Sequence, residues 1–284
     1  MSRFDGCTAG GALALAAETL SDIKEISTPY LDALVIMTSV SGHSKARLLS
    51  NRDEPLSVKI SRLYDESIRR REALEPVQYI TNSCEFMGLP FYVDKNVLIP
   101  RPETEHLVEK AIELISERGY KRVLDMCTGS GCVAVAVAHY CEAARVTAVD
   151  ISQPALDIAR KNAEALSVAR GVGFIHSDMF DNLPAGESFD ILLCNPPYVS
   201  GDEMKTLGAN VKYEPEAALF GGADGLDFYR RIAEKYEAYI RPGGAVLLEI
   251  GAAQGEAVKS LFGGGEILKD YAKLDRVYYK TIGE

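Results

Sequence analysis

From residue 122 onward the chain alternates short runs of aliphatic and β-branched residues with segments of helical length, and few architectures accept that alternation. The runs are "RVLDM" (122–126), "RVTAVDI" (145–151), "VGFIHSD" (172–178), "FDILLC" (189–194) and "AVLLEI" (245–250). Between them lie a helix expected after "TGSG", the helix "PALDIARKNAEALS" and the helix "FYRRIAEKYEAYI". A parallel partner strand is reached only by crossing over one face of the sheet, so strands separated by helices pair in parallel. The fold class is therefore α/β, a mostly parallel Rossmann-like sheet covered by helices on both faces. The carboxyl-terminal "GEILKDYAKLDRVYYKTI" has no helix between its apolar runs and reads as a final antiparallel pair.

Upstream the pattern differs. The first 82 residues show helical spacing, as in "SVKISRLYDESIRRREAL", where Val58, Ile60, Leu63, Ile68 and Leu74 fall roughly on one side. Residues 83–100, "SCEFMGLPFYVDKNVLIP", switch to short β-prone runs broken by Gly88, Pro90 and Asp94, the pattern of a β-hairpin. Pro100 and Pro102 then precede "ETEHLVEKAIELISERG", whose Leu107, Val108, Ala111, Ile112 and Ile115 trace one face and whose Gly119 fits a helix end. The division expected is a small helical domain at 1–82, a linking hairpin at 83–100 and the sheet domain at 101–284.

Charge and cysteine usage narrow the function classes. The net charge of −10 is uneven: residues 1–82 hold 10 Lys and Arg against 11 Asp and Glu, leaving 21 against 30, a net of −9, for the remainder. A surface of that sign repels a phosphate backbone, so stable nucleic-acid binding is not expected. The one basic run, Arg69, Arg70 and Arg71 with Arg62 upstream, is interleaved with Asp65, Glu66 and Glu72 and reads as a solvated helix face. The six cysteines are scattered, with no C-x-x-C pair and no histidine at ligand spacing, so reduced thiols and no metal site are expected. No run of about 18 apolar residues and no secretory leader is present, which makes the cytoplasm the expected compartment and a membrane partner unexpected.

In an open parallel sheet, ligands bind beyond the carboxyl ends of the strands, so the residues that end each strand are the candidates. The first strand runs into "DMCTGSG" (125–131), a glycine turn that lets backbone amides approach a ligand. Nineteen residues after Gly131, Asp150 ends the second strand, where a carboxylate suits both hydroxyls of a ribose. A dinucleotide would use the same geometry, but the turn departs from G-x-G-x-x-G, with Cys127 first and no third glycine, which weakens a pyrophosphate reading. A nucleoside ligand without phosphates, S-adenosylmethionine, fits better. The cofactor set is then Asp125, Cys127, Thr128, Gly129, Ser130, Gly131, Asp150, Ile151, Asp178, Met179 and Asn195. Asp125 and Asp178 share an alternative reading as turn-capping carboxylates, since short polar residues are common where strands end.

"NPPY" at 195–198 follows "FDILLC" directly. Two prolines end the strand and leave a stiff loop beside the expected cofactor. Methyl transfer to a nitrogen whose lone pair is delocalised depends mostly on positioning. The Asn195 side-chain oxygen and the Pro196 carbonyl suit the two hydrogens of a planar NH2 group, with Pro197 stiffening the loop and Tyr198 covering the group.

These residues carry a resemblance. "NPPY" marks methyltransferases acting on adenine or glutamine NH2 groups. With "EPVQYI" (75–80), "EFMGLPFYV" (85–93), "VLIPRPETEHLVE" (97–109), "YEPEAALFGGADGLDFYRRI" (213–232) and "LLEIG" (247–251), the chain resembles the release-factor glutamine methyltransferases. The resemblance implies transfer of a methyl group from S-adenosylmethionine to the glutamine of the Gly-Gly-Gln loop of class-1 peptide chain release factors, with S-adenosylhomocysteine as product. It implies a helical amino-terminal domain that contacts the release factor and a class I methyltransferase sheet. It places the cofactor against residues 127–131, Asp150, Met179 and Asn195, and the glutamine against residues 195–198. Two departures stand out: Cys127 replaces the family's first glycine, and Met179 stands where an aromatic is common. A role for Arg101, Glu103 or Thr104 at the rim is left open. A monomer is expected.

Three alternatives compete: an adenine N6-methyltransferase on DNA or RNA, a ribosomal-protein glutamine methyltransferase, and a silent S-adenosylmethionine-binding partner. The first requires base extrusion and cationic surface, against the net charge. The third leaves the intact "NPPY" without a purpose.

Overall fold

A computed structural model describes residues 2–184 and 186–283. Its contacts divide the chain into two units, Met1–Ser83 with Gly208–Tyr213, and Cys84–Leu207 with Glu214–Glu284.

The first unit holds helices α1 (Ala9–Ser21), α2 (Pro29–Ser41), α3 (Lys45–Ser50), α4 (Val58–Glu72) and α5 (Val77–Thr81). Thr8, Ser44 and Ser57 cap α1, α3 and α4 by accepting backbone N–H groups three residues on. The core gathers Phe4, Leu13, Leu20, Ile36, Met37, Tyr64 and Ile68. Here α4 departs from the expected face: Val58 and Leu63 are exposed, while Ser61, Tyr64, Asp65, Ser67 and Ile68 are buried. Hydrogen bonds account for the polar burial, since Ser61 Oγ donates to the Phe4 carbonyl (3.2 Å) and Asp65 accepts from Arg3 Nε (2.6 Å). The arginine run is not merely solvated. Arg69 pairs with Asp65 (3.0 Å), Arg70 with Glu75 (2.5 Å) and Arg71 with the buried Asp32 (2.8 Å). The unit also recruits a distant segment: Tyr213 Oη donates to the Ala73 carbonyl at 2.6 Å.

The second unit begins with β1 (Cys84–Phe86) and β2 (Leu89–Phe91), an antiparallel hairpin turned by Met87 (φ 52°) and Gly88 (φ 70°). The hairpin ends at Phe91, well before residue 100, and Phe86 and Phe91 join the core beside Leu107 of α6 (Glu105–Arg118). The main elements follow as β3 (Arg122–Met126), α7 (Cys132–Tyr140), β4 (Arg145–Asp150), α8 (Gln153–Ala165), β5 (Val172–His176) and β6 (Phe189–Cys194). After them come α9 (Gly201–Met204), α10 (Asp227–Lys235), β7 (Ile240–Glu249), α11 (Gly255–Leu261), β8 (Glu266–Lys269) and β9 (Asp275–Thr281).

The sheet has seven strands in the order β5-β4-β3-β6-β7-β9-β8. The first five run parallel, and β9 pairs antiparallel with both β7 and β8, as the alternation of the sequence demands. Apolar clusters cover both faces, one built on Val135, Ile191 and Leu247, the other on Tyr229, Leu192 and Val246. The helix read through residue 240 stops at Lys235. The Tyr239 N–H tightens onto the Tyr236 carbonyl (3.0 Å), and the Tyr239 carbonyl already accepts from Phe189 N–H (2.7 Å). Strand pairing has captured the chain there before the helix could continue.

Candidate active site

The turn after β3 is held from beneath. Thr128 Oγ1 donates to Asp125 Oδ2 at 2.5 Å, and Thr128 N–H donates to the Val149 carbonyl at 3.0 Å. Asn162 of α8 donates to the Ser130 carbonyl (2.9 Å) and the Tyr92 carbonyl (3.0 Å), and accepts from Tyr92 N–H (2.8 Å), locking the turn to the chain that follows the hairpin. Asp125 is 1% exposed, and burial pushes its carboxyl up to about 7 against the opposing hydrogen bonds from Thr128 and the Ala134 N–H. Gly131 has φ 78°, and a Cβ there would stand 2.8 Å from Cβ of Ala159, so only glycine lets α8 approach. Cys127 holds φ 58° without being glycine, a strain of about 1 kcal/mol. Its Sγ lies 3.8 Å from Sδ of Met179.

Asp150 ends β4. Its Oδ2 accepts from Gly129 N–H and its Oδ1 from Ser152 N–H, both at 2.8 Å. The carboxylate keeps acceptor capacity beyond these bonds. Burial raises this carboxyl above its usual range, opposed by the N–H groups of Ser152, Gly129 and Ile151.

Beside the turn opens a cavity holding about 780 Å³ of empty space, its solvent-facing mouth included. Of the residues singled out in the sequence, Cys127, Gly129, Asp150, Ile151, Asp178, Met179, Asn195 and Pro197 line it. Asp125, Thr128, Ser130, Gly131, Pro196 and Tyr198 are not among the lining residues. For Asp125 the geometry is that of a brace under the turn. Asp178 ion-pairs with Arg231 at 2.7 Å. Sequence reasoning missed Asn96, Val97 and Leu98 on one wall and Pro215, Ala217, Ala218 and Phe228 on another. Their mostly apolar walls, with a carboxylate at the end of β4, suit an adenosine whose ribose hydroxyls meet Asp150.

A second corner is built from strand ends. Cys194 of β6 pairs with Met126 of β3 and Leu248 of β7, so Asn195 leaves the sheet beside Cys127 and Glu249. Asn195 Nδ2 donates to Thr104 Oγ1 (3.1 Å), Thr104 Oγ1 donates to Glu249 Oε2 (2.6 Å), and Tyr198 Oη donates to Glu249 Oε1 (3.2 Å). Thr104 and Glu249 are each 1% exposed. The glycines of "FGGADG" hold this loop at close range, since a Cβ on Gly221 would lie 2.6 Å from the Pro197 carbonyl. Gln254 Nε2 donates to the carbonyls of Tyr198 (3.0 Å) and Gly225 (3.2 Å). At the rim the buried Glu214 accepts from Ile99 N–H (3.0 Å) and Arg101 (2.5 Å), joining the "IPRP" and "YEPE" segments. An acid closing the apolar strand "AVLLEI" was the signal available for Glu249.

Residues 105–214 match the Methyltransferase small domain and residues 11–81 the PrmC N-terminal domain. The release factor glutamine methyltransferase of Clostridium acetobutylicum is 39% identical over 272 residues, covering 93% of this chain and 95% of the relative. That of Neisseria gonorrhoeae is 42% identical over 262 residues, covering 90% and 93%. The chain belongs to the release factor glutamine methyltransferase family. Family membership covers both units, because the matches span the helical and the sheet portions alike. Two solved structures are similar in fold alone. One is the hMettl16 catalytic domain in complex with MAT2A 3'UTR hairpin 6, with a TM-score of 0.56 at 15% identity, covering 79% of this chain and 82% of that one. The other is a methyltransferase from Pyrococcus furiosus, with a TM-score of 0.51 at 18% identity, covering 70% and 91%.

Proposed function

We propose that the chain methylates the side-chain amide nitrogen of the glutamine in the Gly-Gly-Gln loop of class-1 peptide chain release factors, with S-adenosylmethionine as donor. The observation that carries the reading is Asn195, at the edge of the cavity, with its Nδ2 committed to Thr104 and its Oδ1 left as an acceptor. Bound in the cavity, S-adenosylmethionine supplies an electrophilic methyl group and leaves as S-adenosylhomocysteine.

The chain's own residues orient the partners. Asp150 holds ribose hydroxyls, the turn at 127–131 offers backbone contacts, and Met179 and Phe228 pack against a flat apolar base. Asn195 Oδ1 and the Pro196 carbonyl accept the two N–H groups of the glutamine amide, enriching the nitrogen and fixing its direction of approach. Tyr198, tethered to Glu249, covers the amide. The helical unit contributes docking surface for a long protein substrate. On this reading the enzyme works in the cytoplasm as a monomer, without metal and without stable nucleic-acid or membrane binding. Among the described residues no helix is long and apolar enough to cross a membrane.

The test is transfer of labelled methyl from S-adenosylmethionine to a purified class-1 release factor, against its Gly-Gly-Ala loop mutant, with adenine-containing DNA and RNA alongside. Label confined to the wild-type factor is expected. Label on nucleic acid, or equal label on the loop mutant, overturns the reading.

A further inference from the structure

Glu249 is a buried acid behind Asn195, joined to it through Thr104, that the transfer reaction as described does not touch. We infer that Glu249, acting through Thr104, fixes which end of the Asn195 amide faces the acceptor nitrogen, so that both are positioning residues. This rests on the reading that Asn195 receives an acceptor N–H.

Thr104 has one hydroxyl hydrogen to give. An ionised carboxylate only accepts, so that hydrogen goes to Glu249 Oε2 at 2.6 Å and the Thr104 oxygen is left to accept. The Asn195 amide reaches that oxygen at 3.1 Å, and only its Nδ2 end can donate. The carbonyl end is thereby offered to the substrate. Thr104 ends the 3₁₀ turn Pro102–Thr104 that runs into α6, and its side chain makes no bond to the helix backbone there. Its hydroxyl serves the site instead of the helix.

Protonating Glu249 reverses the chain of donors. The acid can then donate to Thr104, whose own hydrogen turns to Asn195 and draws the carbonyl end inward. The amide now presents NH2 to an NH2, donor against donor. The groups facing Glu249 set where this happens. Arg276 of β9 and the Tyr198 hydroxyl favour the ionised form, and Glu103 ahead of α6 opposes it. Cys132 of α7 lies within electrostatic reach, and Tyr229 of α10 donates to the Glu249 backbone carbonyl at 2.9 Å. Burial outweighs all of these and raises the carboxyl above its ordinary range. The acid limb of turnover is therefore expected at higher pH than a free glutamate would give.

The experiment uses the full chain, a class-1 release factor as acceptor, and Thr104→Val, Thr104→Ser and Glu249→Gln. Thr104→Val should lower kcat roughly 10²-fold while the dissociation constant of S-adenosylhomocysteine stays within twofold, and Thr104→Ser should restore most of the loss. Wild-type kcat should fall as pH drops through the Glu249 titration, and Glu249→Gln should lack that limb. In the side-chain NH2 resonances of Asn195, the hydrogen-bonded shift should titrate with the same midpoint and vanish in Thr104→Val. This readout needs no acceptor. If the wild-type chain leaves release factor unlabelled, the proposed function fails while the resonance still judges the present inference. A Thr104→Val enzyme within twofold of wild-type kcat overturns the inference, as does an acid limb retained in Glu249→Gln. Should Thr104→Val not fold, the serine variant and the wild-type titration decide.

Discussion

The two sides of the cavity are built by opposite methods. The turn at 127–131 is one contiguous stretch whose shape is held by its own backbone hydrogen bonds, by the Thr128 side chain and by Asn162. The acceptor corner has almost no contiguity: its hydrogen-bonded side chains come from residues 104, 195, 198 and 249. The difference teaches where each side is vulnerable. A backbone cradle fails when the chain cannot keep its shape, whereas a side-chain relay fails when one atom changes from donor to acceptor while the fold stays intact.

The largest expected effect tests the relay alone. Asn195→Ala should lower methyl transfer by about 10²- to 10³-fold, the scale of losing one aligned polar group at a reacting centre. Affinity for S-adenosylhomocysteine, measured by calorimetry, should hardly move. Equal loss of turnover and cofactor binding would merge the two sides and break the distinction.

Two glycine substitutions sharpen it. A methyl at Gly131 would meet Cβ of Ala159 at 2.8 Å, and one at Gly221 would meet the Pro197 carbonyl at 2.6 Å. Each should cost about 1–3 kcal/mol of stability, read from denaturant midpoints. Their functional damage should separate: Gly131→Ala weakens cofactor binding, and Gly221→Ala raises KM for the release factor or lowers kcat at unchanged cofactor affinity. Identical kinetic signatures would mean that the site responds as one body.

The same contrast explains what could be read from the sequence. The parallel sheet followed from spacing, and "CTGSG", Asp150 and Asn195 were visible because each ends a strand. Register was not visible. Only the pairing of Cys194 with Leu248 brings Asn195 beside Glu249, and nothing in "IPRPETE" says that Thr104 joins them. The burial of α4 was misjudged for a related reason. Apolar spacing suggested Val58 and Leu63, but Arg3 and the Phe4 carbonyl, from far up the chain, supply the partners that let Asp65 and Ser61 lie inside. Asp125 stood in the right stretch of sequence, while its distance from the cavity depended on Thr128 folding over it.

Asp125 gives the smallest expected effect and isolates the brace from the site. Its carboxyl is raised from 3.8 to about 7 by burial, so the folded chain keeps a proton that the unfolded chain releases. The stability tied to that proton is fully present below about pH 4 and is lost as pH rises through 7. Asp125→Asn carries no such proton. The difference in melting temperature, wild type minus variant, should therefore decline between pH 4 and 7 and level off above. Because the Asp125 carboxyl is spent on the turn, S-adenosylhomocysteine affinity at fixed pH should change less than it does in Asp150→Asn. A flat difference curve would place a charged carboxylate under the turn. The cradle would then owe its shape to an ionic brace, and its sensitivity to protonation would resemble that of the Glu249 relay.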